Sequence, residues 1–94
     1  MYEIKTIKRF RKKYQKLVTK NRILKDKIVD TIEILKKDPF YKSLKTHKVM
    51  TKEYGEVFSS FVTGDLRIIW TKIKNELILL LLDIGGHSGK KSVY

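Results

Sequence analysis

Ninety-four residues carrying 22 Lys plus Arg against 10 Asp plus Glu describe one small basic domain, of formal charge +12 and pI near 10.0, with no room for a second. Hydrophobic residues at 41% supply enough apolar material for a core, which excludes disorder along the whole length. Without a single Cys, disulfide frameworks, thiolate chemistry and most structural zinc sites drop out, and a reducing cytoplasm is the expected compartment.

Residues 2–7 alternate, with Tyr2, Ile4 and Thr6 offset from Glu3 and Lys5, which predicts a short first strand. The same two charges interrupt the apolar stretch that a signal peptide needs. From Ile7 the period lengthens: Ile7, Phe10, Tyr14, Leu17 and Val18 recur at helical spacing, while Lys8, Arg9, Arg11, Lys12, Lys13 and Lys16 fill the opposite side. This helix is expected to end near 19–21. A second follows, with Leu24, Ile28, Ile32 and Leu35 as its stripe and Ile23 and Val29 widening it, until Asp38-Pro39 stops it. Joined by so few residues, the two helices should pack as an antiparallel hairpin.

Residues 39–54 read as a long irregular stretch. Beyond them, 56–63, 66–73 and 76–84 are rich in Val, Phe, Ile, Leu and Trp and are separated by Thr63-Gly64-Asp65 and Lys74-Asn75, the pattern of a three-strand antiparallel meander. The run 77–82 is apolar on both faces, so that strand should lie centrally, with the helices against one face and a cover on the other. Six apolar residues are too few to span a bilayer, and no membrane association is expected. The fold class is therefore α+β: an N-terminal strand, a two-helix antiparallel hairpin and an antiparallel β-meander, followed by a Gly-rich basic tail over 85–94.

A charge of +12 on so small a chain attracts polyanions, nucleic acid first, with an acidic protein or an anionic membrane surface as the alternatives. Ten of the basic residues lie between Lys5 and Lys25. The residues able to do chemistry lie elsewhere: His47 within Leu44-Lys45-Thr46-His47-Lys48, Arg67 within Gly64-Asp65-Leu66-Arg67-Ile68-Ile69-Trp70, and His87, Lys90, Lys91 and Tyr94 in the tail. A meander can bring the start of its second strand and the end of its third to one end of the sheet. Two imidazoles, a guanidinium, ammoniums and a phenol gathered there would suit metal-free RNA cleavage. In that reaction a base takes the proton of a ribose 2'-hydroxyl, the oxygen attacks the adjoining phosphorus, cations stabilise the charge that develops, and an acid protonates the leaving 5'-oxygen. Histidine, with an ordinary pKa of about 6.5, suits both proton transfers, and the planar fork of arginine suits the phosphate.

Each residue also has a plainer reading: solvated histidines, an Arg67 stem packed on a strand with its head in water, a solvated Lys90-Lys91, and a Tyr94 that only ties down the C-terminus. Other chemistries fail on inventory. Two histidines forty positions apart, with no thiol and scattered carboxylates, make no metal set, and no cofactor is expected. Gly85-Gly86-His87-Ser88-Gly89 lacks the Lys-Ser/Thr ending of a P-loop, and Ser88 beside His87 has no orienting acid.

The order of these elements, together with Asp38-Pro39-Phe40, Leu44-Lys45-Thr46-His47-Lys48, Gly55-Glu56-Val57-Phe58-Ser59-Ser60, Gly64-Asp65-Leu66-Arg67-Ile68-Ile69-Trp70 and Leu82-Asp83-Ile84-Gly85-Gly86-His87, resembles the toxins of type II toxin-antitoxin systems in the RelE/ParE superfamily, closest to the YafQ-like and HigB-like mRNA interferases. The resemblance implies an mRNA endoribonuclease that inhibits translation, usually in the ribosomal A site, and is silenced by a cognate antitoxin in a hetero-oligomer. It also implies roles. His87 matches the C-terminal histidine that serves as acid or base, His47 and Asp65 match the other His and Asp of that active site, and Arg67 matches the strand arginine that binds the scissile phosphate. Lys90, Lys91 and Tyr94 match the basic and tyrosine positions of RelE-like tails, and Lys45 and Lys48 flank His47 as RNA contacts. At Phe61 many such toxins would carry a basic or histidine side chain, so the apolar ring departs from the pattern and leaves a catalytically weakened RNA-binding relative as one alternative. A ParE-like gyrase poison, which shares the fold without a nuclease site, is another.

Overall fold

Phe10, Tyr14 and Leu17 on one helix and Leu24, Ile28, Ile32 and Leu35 on the next form two apolar stripes that need a common surface. The computed structural model, which describes residues 1–86, supplies it as a five-stranded sheet. The elements run β1 (Glu3–Thr6), α1 (Lys8–Val18), α2 (Arg22–Lys37), a 3-10 turn (Lys42–Leu44), β2 (His47–Thr51), β3 (Gly55–Thr63), β4 (Leu66–Lys72) and β5 (Ile78–Gly86). The strand order across the sheet is β1-β5-β4-β3-β2.

Local chemistry sets the boundaries. Lys20, at φ +61°, turns the chain after α1, and the Asn21 side chain accepts a hydrogen bond from Leu24 N at 3.0 Å, capping the first turn of α2. At the far end of α2, Asp38 Oδ1 accepts from Phe40 N at 3.0 Å, so the residue before proline leaves the helix through an Asx turn. The meander is as expected: β3, β4 and β5 pair antiparallel in sequence, joined at Gly64-Asp65 and through a turn in which Asn75 has φ +65°.

Two features differ from the sequence reading. The stretch 39–54 is not irregular throughout, since it contains the 3-10 turn and β2, which pairs antiparallel with β3 from His47↔Ser59 to Thr51↔Gly55. As an edge strand with only Thr51 buried, β2 has almost no apolar period to betray it. The second difference is the place of β5: at the opposite edge β1 pairs parallel to it, a pairing the sequence reading left open. Strand β5 is thus interior, as its apolar run requires, but the middle of the sheet is β4.

The two faces of the sheet differ. On the helix face, Phe10, Ile28, Leu35 and Leu44 pack with Val62, Ile68, Trp70, Leu79, Leu81 and Ile84 in the main core. Among the described residues the opposite, far face carries the smaller cluster of Val57, Ile69 and Leu82, with Ile7, Val49, Tyr54 and Leu80 against it. Among the described residues no helix is long and apolar enough to cross a membrane.

Candidate functional site

A hydrogen-bonded chain beneath the sheet fixes the segment that leads into β2. The Trp70 indole N–H, fully buried, donates to Ser60 Oγ at 2.8 Å, and the Thr46 hydroxyl donates to Pro39 O at 2.7 Å. Thr46 has one hydroxyl proton and spends it on that carbonyl. The 2.7 Å bond between Thr46 and Ser60 therefore runs from Ser60 to Thr46, and each hydroxyl donates once. Residues 45–47 are so tied to the core through β3 and β4. Lys45 adopts φ +49° at the end of the 3-10 turn, and its carbonyl lies 2.9 Å from His47 Nδ1. A carbonyl only accepts, so Nδ1 is the donor in this bond, which leaves Nε2 as the ring nitrogen that can exchange a proton with a ligand.

Strand alternation decides which side chains share a face with His47. Across the far face the register sets His47 beside Ser59, Ser59 beside Ile69 and Ile69 beside Asp83. One step along the strands, Phe61 is beside Arg67 and Arg67 beside Gly85. The start of β4 and the end of β5 therefore meet at one end of the sheet. The Phe61 ring receives two cations: the Arg67 guanidinium carbon lies 4.9 Å and the Lys45 ammonium 5.1 Å from its centroid. Arg67 Nη1 also donates to Gly64 O at 3.3 Å and Leu66 O at 3.2 Å. The far face thus joins an exposed imidazole, two cations and an aromatic ring.

Not every expected residue belongs to this group. Asp65 is exposed in the turn between β3 and β4, and among the described residues no hydrogen bond or ion pair links it to His47 or Arg67. Lys48 lies apart from this group: it pairs with Phe58, whose side chain packs on the main core, so alternation sends it to the side opposite His47. There it forms an exposed ion pair with Glu56 at 3.7 Å. His87, Lys90, Lys91 and Tyr94 lie outside the described residues.

The sequence reading assigned no role to Asp83 and Lys13. Asp83 is 6% exposed, on the far face, and its Oδ1 accepts from Lys13 Nζ at 2.7 Å and from Ile84 N at 2.9 Å. A carboxylate within an otherwise apolar strand is the signal that marks it, since buried charge demands a partner. One turn earlier on α1, Arg9 is paired with Glu53 and lies 3.4 Å from the Tyr54 hydroxyl. The hydrogen bond from Arg9 holds the Glu53 carboxyl below the usual carboxylate range, and the bonds to Glu53 and Tyr54 raise the Arg9 guanidinium further above its own. Among the described residues no group of three or more His, Asp and Glu side chains is placed to hold a metal ion.

The arrangement of β1, a helix pair and a four-strand antiparallel sheet, with its polar groups on the face away from α2, is the RelE-like α+β fold. RelE of the archaeal RelE-RelB complex from Pyrococcus horikoshii OT3 superposes with a TM-score of 0.73 at 17% identity, over 93% of this chain and 96% of that one. YafQ from E. coli BL21(DE3) superposes at 0.67 with 18% identity, over 92% and 93%. YafQ in the E. coli DinJ-YafQ complex gives 0.61 and 24%, over 93% and 94%. No curated protein matches the chain in sequence. Residues 2–89 match the family model of the bacterial toxin of type II toxin-antitoxin systems, YafQ, and the chain belongs to that family.

Proposed function

We propose that this toxin is a metal-independent mRNA endoribonuclease that inhibits translation at the ribosome and is held inactive by a cognate antitoxin. The observation that carries the reading is the grouping on the far face of His47, whose Nδ1 is engaged by the Lys45 carbonyl, with the Arg67 and Lys45 cations on the Phe61 ring. Arg67 binds the scissile phosphate and stabilises the charge of its transition state. His87 and His47 divide the proton transfers, one taking the 2'-hydroxyl proton and the other protonating the leaving 5'-oxygen, with Asp65 orienting or assisting. Lys45, Lys90, Lys91 and Tyr94 hold the RNA strand. Family membership supports the toxin role, and the RelE-RelB and DinJ-YafQ complexes among its structural neighbours support a hetero-oligomer with an antitoxin.

Cleavage of mRNA in a translating extract, set against supercoiling by purified gyrase, tests the reading. Cleavage that persists in excess EDTA and leaves 2',3'-cyclic or 3'-phosphate ends, with gyrase unaffected, is the expected result. Gyrase inhibition without RNA cleavage would make the chain a ParE-like poison instead. Ribosome affinity should fall by orders of magnitude between about 50 and 200 mM salt if several phosphates are engaged.

A further inference from the structure

We infer that Phe61 is a positioning residue, whose ring gathers Arg67 and Lys45 into one phosphate-binding pair. The ribonuclease reading supplies the phosphate; the placement of both cations against one ring follows from the geometry. Two like charges repel, and a protein usually holds them together with a carboxylate, which cancels the charge that a phosphate would need. Among the described residues neither Arg67 nor Lys45 is in an ion pair. They share instead the Phe61 ring, at 4.9 and 5.1 Å from its centroid. The negative quadrupole of a ring face attracts a cation without neutralising it, so an aromatic side chain can concentrate positive charge that remains available to a ligand.

Among the described residues the remaining restraints on the two cations are weak, which is why the ring matters. Arg67 is otherwise held by two long hydrogen bonds to backbone carbonyls, both from Nη1, leaving Nη2 and Nε to receive a phosphate in the forked geometry of guanidinium. Lys45 is brought in from a different part of the chain, on a left-handed backbone anchored next door by Thr46. Direct register between Phe61 and Arg67 fixes the second cation against the same ring. The apolar residue that departs from the family pattern at this position thus has work of its own. Phe61 is half-buried and belongs to neither buried cluster, so its replacement should leave the fold intact.

Full-length chain carrying Phe61→Leu, Phe61→Tyr, or pentafluorophenylalanine incorporated at position 61 provides the test. The last keeps the shape of the ring and reverses its quadrupole, so a purely structural role would not register it. Ring-current shifts of the Arg67 and Lys45 side-chain protons report the geometry. Affinity for a short single-stranded oligoribonucleotide carrying 2'-deoxyribose throughout its centre, titrated against salt, reports the phosphate grip without any cleavage. Phe61→Leu should abolish the ring-current shifts, weaken binding about 10-fold and lower the salt slope by about one. The pentafluoro ring should weaken binding similarly, and Phe61→Tyr should match the unsubstituted chain. Unchanged affinity and slope in the pentafluoro protein, or equal losses in Phe61→Tyr and Phe61→Leu, would overturn the inference. Normal binding losses in a chain that never cleaves RNA would sink the ribonuclease reading and leave the positioning role standing; normal cleavage with no binding change would do the reverse.

Discussion

The helix face and the far face of the sheet are built from the same three central strands yet obey different rules. On the helix face, Trp70, Ile68, Leu79 and Leu81 are fully buried against α1 and α2, and Ser60 Oγ accepts from the indole N–H while donating to Thr46. The far face sets Arg67, Phe61, His47 and the Lys13–Asp83 pair around a cluster of three buried apolar residues. Stability is concentrated on one side and charge on the other, so substitutions on the two sides should separate folding from activity.

The largest expected effect belongs to the helix face. Trp70→Ala removes a buried ring stacked on Phe58 at 4.7 Å and the donor to Ser60, and should cost about 3 to 5 kcal/mol in denaturant unfolding. Because the Ser60–Thr46 bond behind it also anchors residues 45–47, activity should fall with it. A loss under ~1 kcal/mol would mean that the core does not rest on this residue.

On the far face the effect should be on rate. Arg67→Ala is expected to slow mRNA cleavage about 10² to 10³-fold through lost stabilisation of transition-state charge; outside the described residues, His87→Ala should slow it about 10² to 10⁴-fold through lost proton transfer. Thermal unfolding of Arg67→Ala should stay near that of the parent chain. An Arg67→Ala protein that cleaves normally, or that unfolds, would erase the contrast between the faces.

Lys13→Met sharpens the comparison, because it breaks an ion pair whose carboxylate is buried on the far face. It leaves the 6% exposed Asp83 carboxylate without its cation. The cost should be about 2 kcal/mol, below the figure for a fully buried pair because water still reaches the lysine. Adding Asp83→Asn should recover much of it, since an amide needs no counter-charge, and failure to recover would show that the pair acts through more than charge.

These faces were unequally legible in the sequence. Helical spacing from Ile7, the Asp38-Pro39 stop and the Gly64-Asp65 turn are local signals, and they gave α1, α2 and the meander to within a few residues. The parallel pairing of β1 with β5 links positions 3 and 78, and the Lys13–Asp83 pair spans seventy residues; no local pattern encodes either. Strand β2 escaped because four of its five side chains are not buried. For the site, Arg67, His47 and Lys45 were readable as residue types, but alternation along β2, invisible until β2 was known, is what separates Lys48 from His47. The gathering of Lys45 and Arg67 on Phe61 depends on the same register.

The smallest expected effect is a pH dependence at the α1 edge of the far face. Since Arg9 lowers the Glu53 carboxyl in the folded chain, the pair stabilises fully above the unfolded carboxylate value and loses its contribution as pH falls through the lowered one. Glu53 is solvent-exposed, so the gain should be slight and should shrink with salt. Melting curves of the parent and Glu53→Gln should differ a little at pH 7 and converge in acid; divergence on acidification would give the pair the wrong sign.

The claim that the far face cuts RNA through the ribose hydroxyl can be tested with one substrate. An mRNA carrying a single 2'-deoxyribose immediately 5' to the mapped scissile phosphate would be presented in a translating extract. Cleavage should vanish at that site and persist at unmodified sites of the same message, because the attacking oxygen has been removed. Undiminished cutting at the deoxyribose position would contradict the mechanism and require a different nucleophile.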